Sequence, residues 1–195
     1  MERNKMLVSS PALFREGLDP SSPRQMEVLL IKAILASELN NEWHSVLPKI
    51  HYTNISRCPT NVCFGAFYDW QCYACAIWTS PVSRSIDYKT VLELRRLAIS
   101  PQAPKCTATW MIGKMIKYIK NNLNHIDRLI SYQDTEVHDG TIYKASNWTA
   151  KHRTQKRRAD SWNVSRHRNL AQTTAAKIRW EYEIKRKTKT IDELS

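Results

Sequence analysis

The sequence predicts an α/β (α+β) fold, a mixed, mostly antiparallel twisted sheet flanked by helices. Three observations predict it. Two runs rich in β-formers, "VCFGAFY" and "CYACAIW", surround a short polar break at residues 69–71 and read as a hairpin. "VLELRRLAI" follows as a third strand. Beyond it, Met111, Ile112, Met115, Ile116 and Ile119 recur at helical spacing, and that helix leads into "HIDRLISY", a fourth strand. Three strands in a row and a helical crossover to a fourth make a mixed sheet with helices packed on it.

Taken in order, residues 1–23 form an irregular N-terminal segment with Pro11, Pro20 and Pro23, and residues 24–195 form a single domain. "QMEVLLIKAILASELNNEW" (25–43) reads as a helix, with Ser22 as its N-cap and Pro23 at an early position. "HSVLPKIHYTNISRCPTN" is polar and turn-rich, hence a loop. After the hairpin and third strand, "SPQAPKCTAT" loops into the second helix, with Thr107 or Thr109 as its cap. "SYQDTEVHDGTIYKASNW" closes the fourth strand, turns tightly at Gly140, enters a short helix and begins a further strand at Trp148. A basic segment, 151–175, has no clear period, and "KIRWEYEIK" alternates as a closing strand at about 176–186.

The net charge is +12 and the pI about 9.6. Between Lys151 and Thr190 thirteen Lys and Arg stand against three Asp and Glu, so most of the excess is C-terminal. That distribution points to a polyanion, and double-stranded DNA is the expected partner. Lys151, Arg153, Lys156, Arg157, Arg158, Arg166 and Arg168 are the expected phosphate contacts, with Trp148 and Trp162 able to stack on bases, although Trp148, like Ala145, also reads as a packing residue. The competing reading of such a run is a solvated tail. No apolar stretch approaches the roughly 20 residues that span a bilayer, so no membrane partner is expected. The charged start "MERNKMLVSSPALF" argues against a secretory signal. Five cysteines without such a signal read as reduced thiols, and Cys72 and Cys75 lie in a strand pattern rather than a paired zinc motif.

The element order resembles the GNAT acyltransferase fold. "IHYTN", "LELRRLAIS", "SYQDTEVHDGTIYKASNW" and "KIRWEY" further resemble the Mom protein family of bacteriophages, over residues 51–186. The GNAT resemblance implies a helix whose N-terminus receives a cofactor pyrophosphate, and a following strand that splays to admit the acyl arm. The Mom resemblance implies transfer of a carbamoylmethyl (acetamido) group to N6 of adenine in DNA. That modification protects phage DNA from restriction in the cytoplasm of the bacterial host. Iron is an implied cofactor, and acyl-CoA or another molecule the group donor. The glycine-rich pyrophosphate loop usual in GNAT enzymes is missing from "APKCTATWMIG", where relatives tend to carry Asn at Cys106 and Ser at Thr109. Backbone amides at the helix start, with Lys105, Thr107 and Thr109, would take over that grip.

The N6 amine is a poor nucleophile, so the site needs a base and hydrogen-bond donors. Candidate catalytic residues are His51, Tyr52, Glu93, Ser131, Asp134 and Tyr143, with His51, Tyr52 and Tyr143 as iron ligands. Each has a plainer reading. His51 fits a loop histidine bonded to backbone, and Asp134 or Asp139 a cap for the short helix. Glu93, with Arg95 and Arg96, fits an exposed strand face, and Tyr143 a half-buried tyrosine. A homodimer is compatible with the sequence. The alternatives in function are an acetyl-CoA-dependent N-acyltransferase acting on a small amine or protein, and a non-catalytic DNA-binding protein.

Overall fold

The computed structural model describes residues 19–31, 62–156 and 175–185. Seven strands form one sheet in the order β1-β2-β3-β4-β5-β7-β6. The strands are β1 (Glu27–Leu30), β2 (Val62–Tyr68), β3 (Gln71–Thr79), β4 (Val91–Ile99), β5 (Arg128–Asp134), β6 (Thr149–Arg153) and β7 (Lys177–Glu183). Among the described residues two α-helices accompany them, α1 (Thr107–Asn122) and α2 (Thr141–Ala145). All pairings are antiparallel except β4 with β5. Among the described residues no helix is long and apolar enough to cross a membrane.

The N-terminal helix expected from Gln25 is corrected. Ser22 does cap, but only a 3-10 turn, Pro23–Gln25, closed by a reciprocal bond between Ser22 and Gln25. From Glu27 the chain is a strand, pairing Glu27 with Phe67 and Leu30 with Phe64. The apolar run "VLLI" suits either period, and an open edge on β2 decides for the strand. Residues 32–43 of the expected helix lie outside the described residues.

The β2–β3 hairpin turns through Asp69 (φ 44°) and Trp70 (φ 66°). Left-handed backbone at both central positions matches the right-handed twist of the flanking strands, although Asn-Gly is the usual choice. Tyr73, near the base of this hairpin, donates to Asp19 Oδ1 at 2.9 Å and ties residue 19 to the sheet.

Helix α1 forms where the sequence places it, but neither threonine caps it. The N-cap is Cys106 in left-handed backbone (φ 67°), with no side-chain capping bond. That conformation suits Asn or Gly better than Cys. Met111, Ile112, Met115 and Ile119 are fully buried against Phe64, Trp78, Leu92 and Leu129. Burial of this stripe contributes roughly 1.5–3 kcal/mol per large side chain. Trp78 Nε1 donates to Met115 Sδ at 3.1 Å, which satisfies its buried polar atom. Alternation along the strands therefore gives the sheet a helix face, covered by α1 and α2, and an opposite face.

Candidate active site at the sheet fork

β4 and β5 pair only from Val91↔Arg128 to Leu94↔Ser131. Beyond that point β4 continues along β3 to Ala74↔Ile99, and β5 continues along β7 to Asp134↔Lys177. The two strands thus part into a fork with its apex at Leu94 and Ser131. A bulge marks the same place. Trp78 faces Leu94 and Ile77 faces Arg96, which leaves Arg95 as the extra residue on β4. Bulges bend a strand and increase its twist, so this one helps to turn β4 away from β5.

At the apex, Ser131 Oγ donates to the Leu94 carbonyl at 3.0 Å and lies 2.9 Å from the Tyr143 hydroxyl. A serine has one proton to give, so the Tyr143 phenol is the donor of the second bond. Helix α2 delivers Tyr143. Gly140 starts the helix in left-handed backbone (φ 77°), where a Cβ would come within 2.6 Å of Gln133 Oε1 and 2.8 Å of Trp180 Cζ2. Asp139, just before it, accepts from the Thr141 amide and hydroxyl, although the N-cap position itself is Gly140 and not Asp139. Tyr143 is only 8% exposed. It stacks on Trp180 at 5.4 Å between centroids and meets Trp148 edge-on at 5.7 Å. Burial raises its pKa, against a smaller opposing effect of the Ser131 bond. Trp180 Nε1 in turn donates to Gln133 Oε1 at 2.8 Å, and Gln133 Nε2 donates to the His138 carbonyl.

The opposite face of the fork is built from charge. Glu93 is 3% exposed, and both its oxygens are engaged, Oε1 by Arg95 at 3.2 Å and Oε2 by the Val82 amide at 3.1 Å. Glu181 bridges Arg179 (2.8 Å) and Arg128 (3.4 Å). Tyr132, half-buried among them, has a pKa raised first by burial and then by the Glu93 carboxylate, against the hydrogen bond from Arg179. Asp134 is buried on this side, three residues past the apex, and its Oδ1 accepts from the Glu136 amide at 3.0 Å. The His138 amide bonds the Asp134 carbonyl, while its side chain is exposed.

The structure therefore joins Ser131 and Tyr143 directly and sets Glu93 and Asp134 on the other side of the sheet. His51 and Tyr52 lie outside the described residues. The exposed-strand reading of Glu93 is corrected, since the β3–β4 loop and Arg95 enclose it. Lys105 is exposed just before α1. Thr107 is buried with its hydroxyl donated to the Pro104 carbonyl at 2.7 Å, so it faces away from any ligand at the helix start. Thr109 is partly buried in the first turn. The amides of Ala108 and Thr109 precede the first intrahelical bond, Trp110 to Cys106, and are left to other acceptors.

Trp148 does not stack on bases. It is buried against Trp78, Tyr143 and Tyr182. Lys151 and Arg153 are exposed on β6, and Lys156 is exposed and bound to Glu136 at 2.7 Å. Arg157, Arg158, Trp162, Arg166 and Arg168 lie outside the described residues. Among the described residues no group of three His, Cys, Asp or Glu could hold a metal ion. The Tyr143 phenol is bonded to Ser131 Oγ, and the other two expected iron ligands, His51 and Tyr52, are outside the described residues. Sequence reasoning missed Trp180, Gln133, Tyr132 and Arg179. Their alternation in "SYQD" and "KIRWEYE" was the available signal, but the partner strand was not known.

The fold is that of GNAT acetyltransferases. A GNAT-family acetyltransferase from Streptococcus pneumoniae superposes with a TM-score of 0.58 at 9% identity, covering 82% of this chain and 99% of that one. The ribosomal-protein-S18-alanine N-acetyltransferase of Escherichia coli gives 0.58 at 8% identity, covering 85% and 98%. A GNAT-family acetyltransferase from Elizabethkingia anophelis with acetyl-CoA bound gives 0.52 at 10% identity, covering 82% and 98%. No curated protein matches the chain. Residues 37–194, most of the sequence and all of the fork, match the Mom protein family, and the chain belongs to that family.

Proposed function

We propose that this protein is a transferase that places a carbamoylmethyl group on N6 of adenine in double-stranded DNA, and so shields phage DNA from restriction in the bacterial host. The observation that carries the transferase part is the fork, with the Tyr143–Ser131–Leu94 chain at its apex. Family membership and the C-terminal charge support the DNA part.

In this reading the free amides at the start of α1, beside Lys105, bind the anionic end of the group donor. The donor supplies the electrophilic carbon. For a carbamoylmethyl product this is a methylene bearing a leaving group, whereas an acyl-CoA carbonyl would give an N6 amide and so belongs to the acetyl-transfer reading. Tyr143 keeps its proton at neutral pH, and by turning its phenol from Ser131 Oγ to the leaving group it would serve as hydrogen-bond or proton donor, not as a base. Asp134, with His51 and Tyr52 from the segment before β2, is the candidate acceptor of the amine proton. Glu93, with both oxygens engaged, shapes the opposite face of the fork. Iron enters only through the family, and no step here is routed through it.

Tyr143→Phe tests the reading. Mass spectrometry of nucleosides from expressing cells is expected to find modified adenine with the parent protein and none with the variant, while DNA affinity changes less than twofold. Equal loss of affinity and modification would remove the chemical role of the phenol. The second reading, acetyl transfer to a small amine or protein, is favoured by the acetyl-CoA in the similar Elizabethkingia structure. Acetyl-CoA turnover on an amine panel, with DNA adenine unmodified, would establish it instead.

A further inference from the structure

Beside the fork, across β7, a groove of about 450 Å³ opens at the sheet edge between β6, β7 and the C-terminal ends of α1 and α2. Three lysines from separate parts of the chain line it, Lys120 at the end of α1, Lys151 on β6 and Lys185 just past β7. All three are exposed, and among the described residues none is in an ion pair. Two carboxylates share the lining, but they do not cancel the lysines. Glu181 is already held by Arg179 at 2.8 Å and Arg128 at 3.4 Å, which leaves Glu183 as the acid that faces them.

The register fixes where this groove stands. Glu181 pairs with Ile130 on one side and Thr149 on the other. Ile130 immediately precedes the apex serine and Glu183 pairs with Arg128, so the groove runs from just below the apex along the closed, paired part of β4 and β5, two strand spacings from β5, roughly 10 Å. Strand β6 is exposed at every position, from Thr149 to Arg153. It also carries a bulge between Ala150 and His152, at Lys151. Three cations, a concave wall and an uncovered edge that begins next to the apex are what a polyanionic backbone requires.

We propose that this groove holds the sugar–phosphate backbone of the DNA, with Lys120, Lys151 and Lys185 as phosphate contacts. The inference rests on the DNA reading of the preceding subsection and extends it. It adds two lysines that the basic C-terminal segment did not suggest, and it sets the path of the duplex. The backbone crosses the sheet at the β6 edge, on the side where α1 ends, and the target base reaches the fork from there. The lysines position and do not read sequence.

The test is the salt dependence of binding to a 25-base-pair duplex, measured by fluorescence anisotropy with the full chain. Each phosphate contact contributes roughly 0.9 to the slope of log affinity against log salt. The triple variant Lys120→Gln, Lys151→Gln, Lys185→Gln is expected to lower the slope by roughly 2–3, and each single variant by about 1, the singles guarding against misfolding of the triple. A slope unchanged in the singles and the triple, with the parent still binding DNA, would overturn the groove and leave the DNA reading standing. Failure of the parent to bind duplex DNA at any salt would overturn the DNA reading itself. Slope loss on duplex RNA alone would reassign the groove to another nucleic acid and overturn the proposal.

Discussion

On the helix face of the fork polar groups are few, and Ser131, Tyr143, Gln133 and Trp180 bond one another or nearby backbone carbonyls within a wall of aromatic rings. On the opposite face charges dominate, and each carboxylate is shared between donors. Both faces come from the same strands. Leu94, Ser131 and Trp180 point one way, while Glu93, Tyr132 and Glu181, their neighbours in sequence, point the other. One short stretch of sheet thus offers two environments, one excluding water and holding a phenol protonated, the other holding ions in place. A transfer reaction that needs a proton donor on one side and charge on the other finds both across a single sheet thickness.

The largest expected effect breaks the aromatic side. Trp180→Ala removes the ring stacked on Tyr143 and the donor to Gln133, and should cost about 3–5 kcal/mol in urea unfolding. A loss below 1 kcal/mol would mean the ring wall is not what holds the apex. The charged side should break less severely. Glu93→Ala leaves Arg95 and the Val82 amide without their acceptor, and about 2 kcal/mol is expected, because Arg95 is 24% exposed and water can take over part of the interaction. Glu93→Gln, which can still accept from Val82, should lose about half of that. If both Glu93 variants cost as much as Trp180→Ala, the two faces are equally important for stability and the contrast fails.

How much of this was legible in the sequence follows from which forces decide each part. The hairpin, β4, α1 and β5 were readable because each carries its own period, and α1 buries the stripe that its spacing announces. β1 was misread because an unbroken apolar run has no period of its own, and only a neighbouring strand settles it. The cap of α1 was misplaced because threonine chemistry was weighed without the left-handed backbone that Cys106 adopts. Tyr143 was found from its motif, but its partner in the proton chain was fixed by where β4–β5 pairing stops. Register is a property of two strands, and one strand's sequence does not contain it. Of the two readings of Trp148 the packing one holds, and choosing it over base stacking needed the same knowledge, since its burial depends on Trp78 and Tyr182 lying beside it.

Smaller effects sharpen the contrast. Burial pushes the Cys63 thiol up to about 11 and, with the Asp19 bond, the Tyr73 phenol up to about 12. Cys75 and Tyr143 are raised as well, chiefly by burial. The unfolded chain would lose these protons from about pH 9 for cysteine and about pH 10 for tyrosine, while the folded chain keeps them. Stability is therefore full below pH 9 and falls as pH rises towards 12. Thermal melting across that range checks it, and Tyr143→Phe should flatten the part above pH 10. A curve that is level to pH 12 would contradict the burial of these groups. The smallest effect lies off both faces. An added Cβ at Gly113 meets nothing within 4 Å on the exposed side of α1, so Gly113→Ala should stabilise by about 0.5–1 kcal/mol without touching either wall.

The place of β7 has a consequence for how the molecule is made. β5 touches β4 only up to Ser131, and its outer half is held by β7, which is synthesised some fifty residues later, after β6. Until Glu183 has left the ribosome, one limb of the fork has no outer neighbour, Tyr143 lacks the Trp180 ring it stacks on and the edge strand has nothing to join. The nascent chain cannot complete the fork ahead of this late strand, so long-range closure, slow by nature, is the last step in building it.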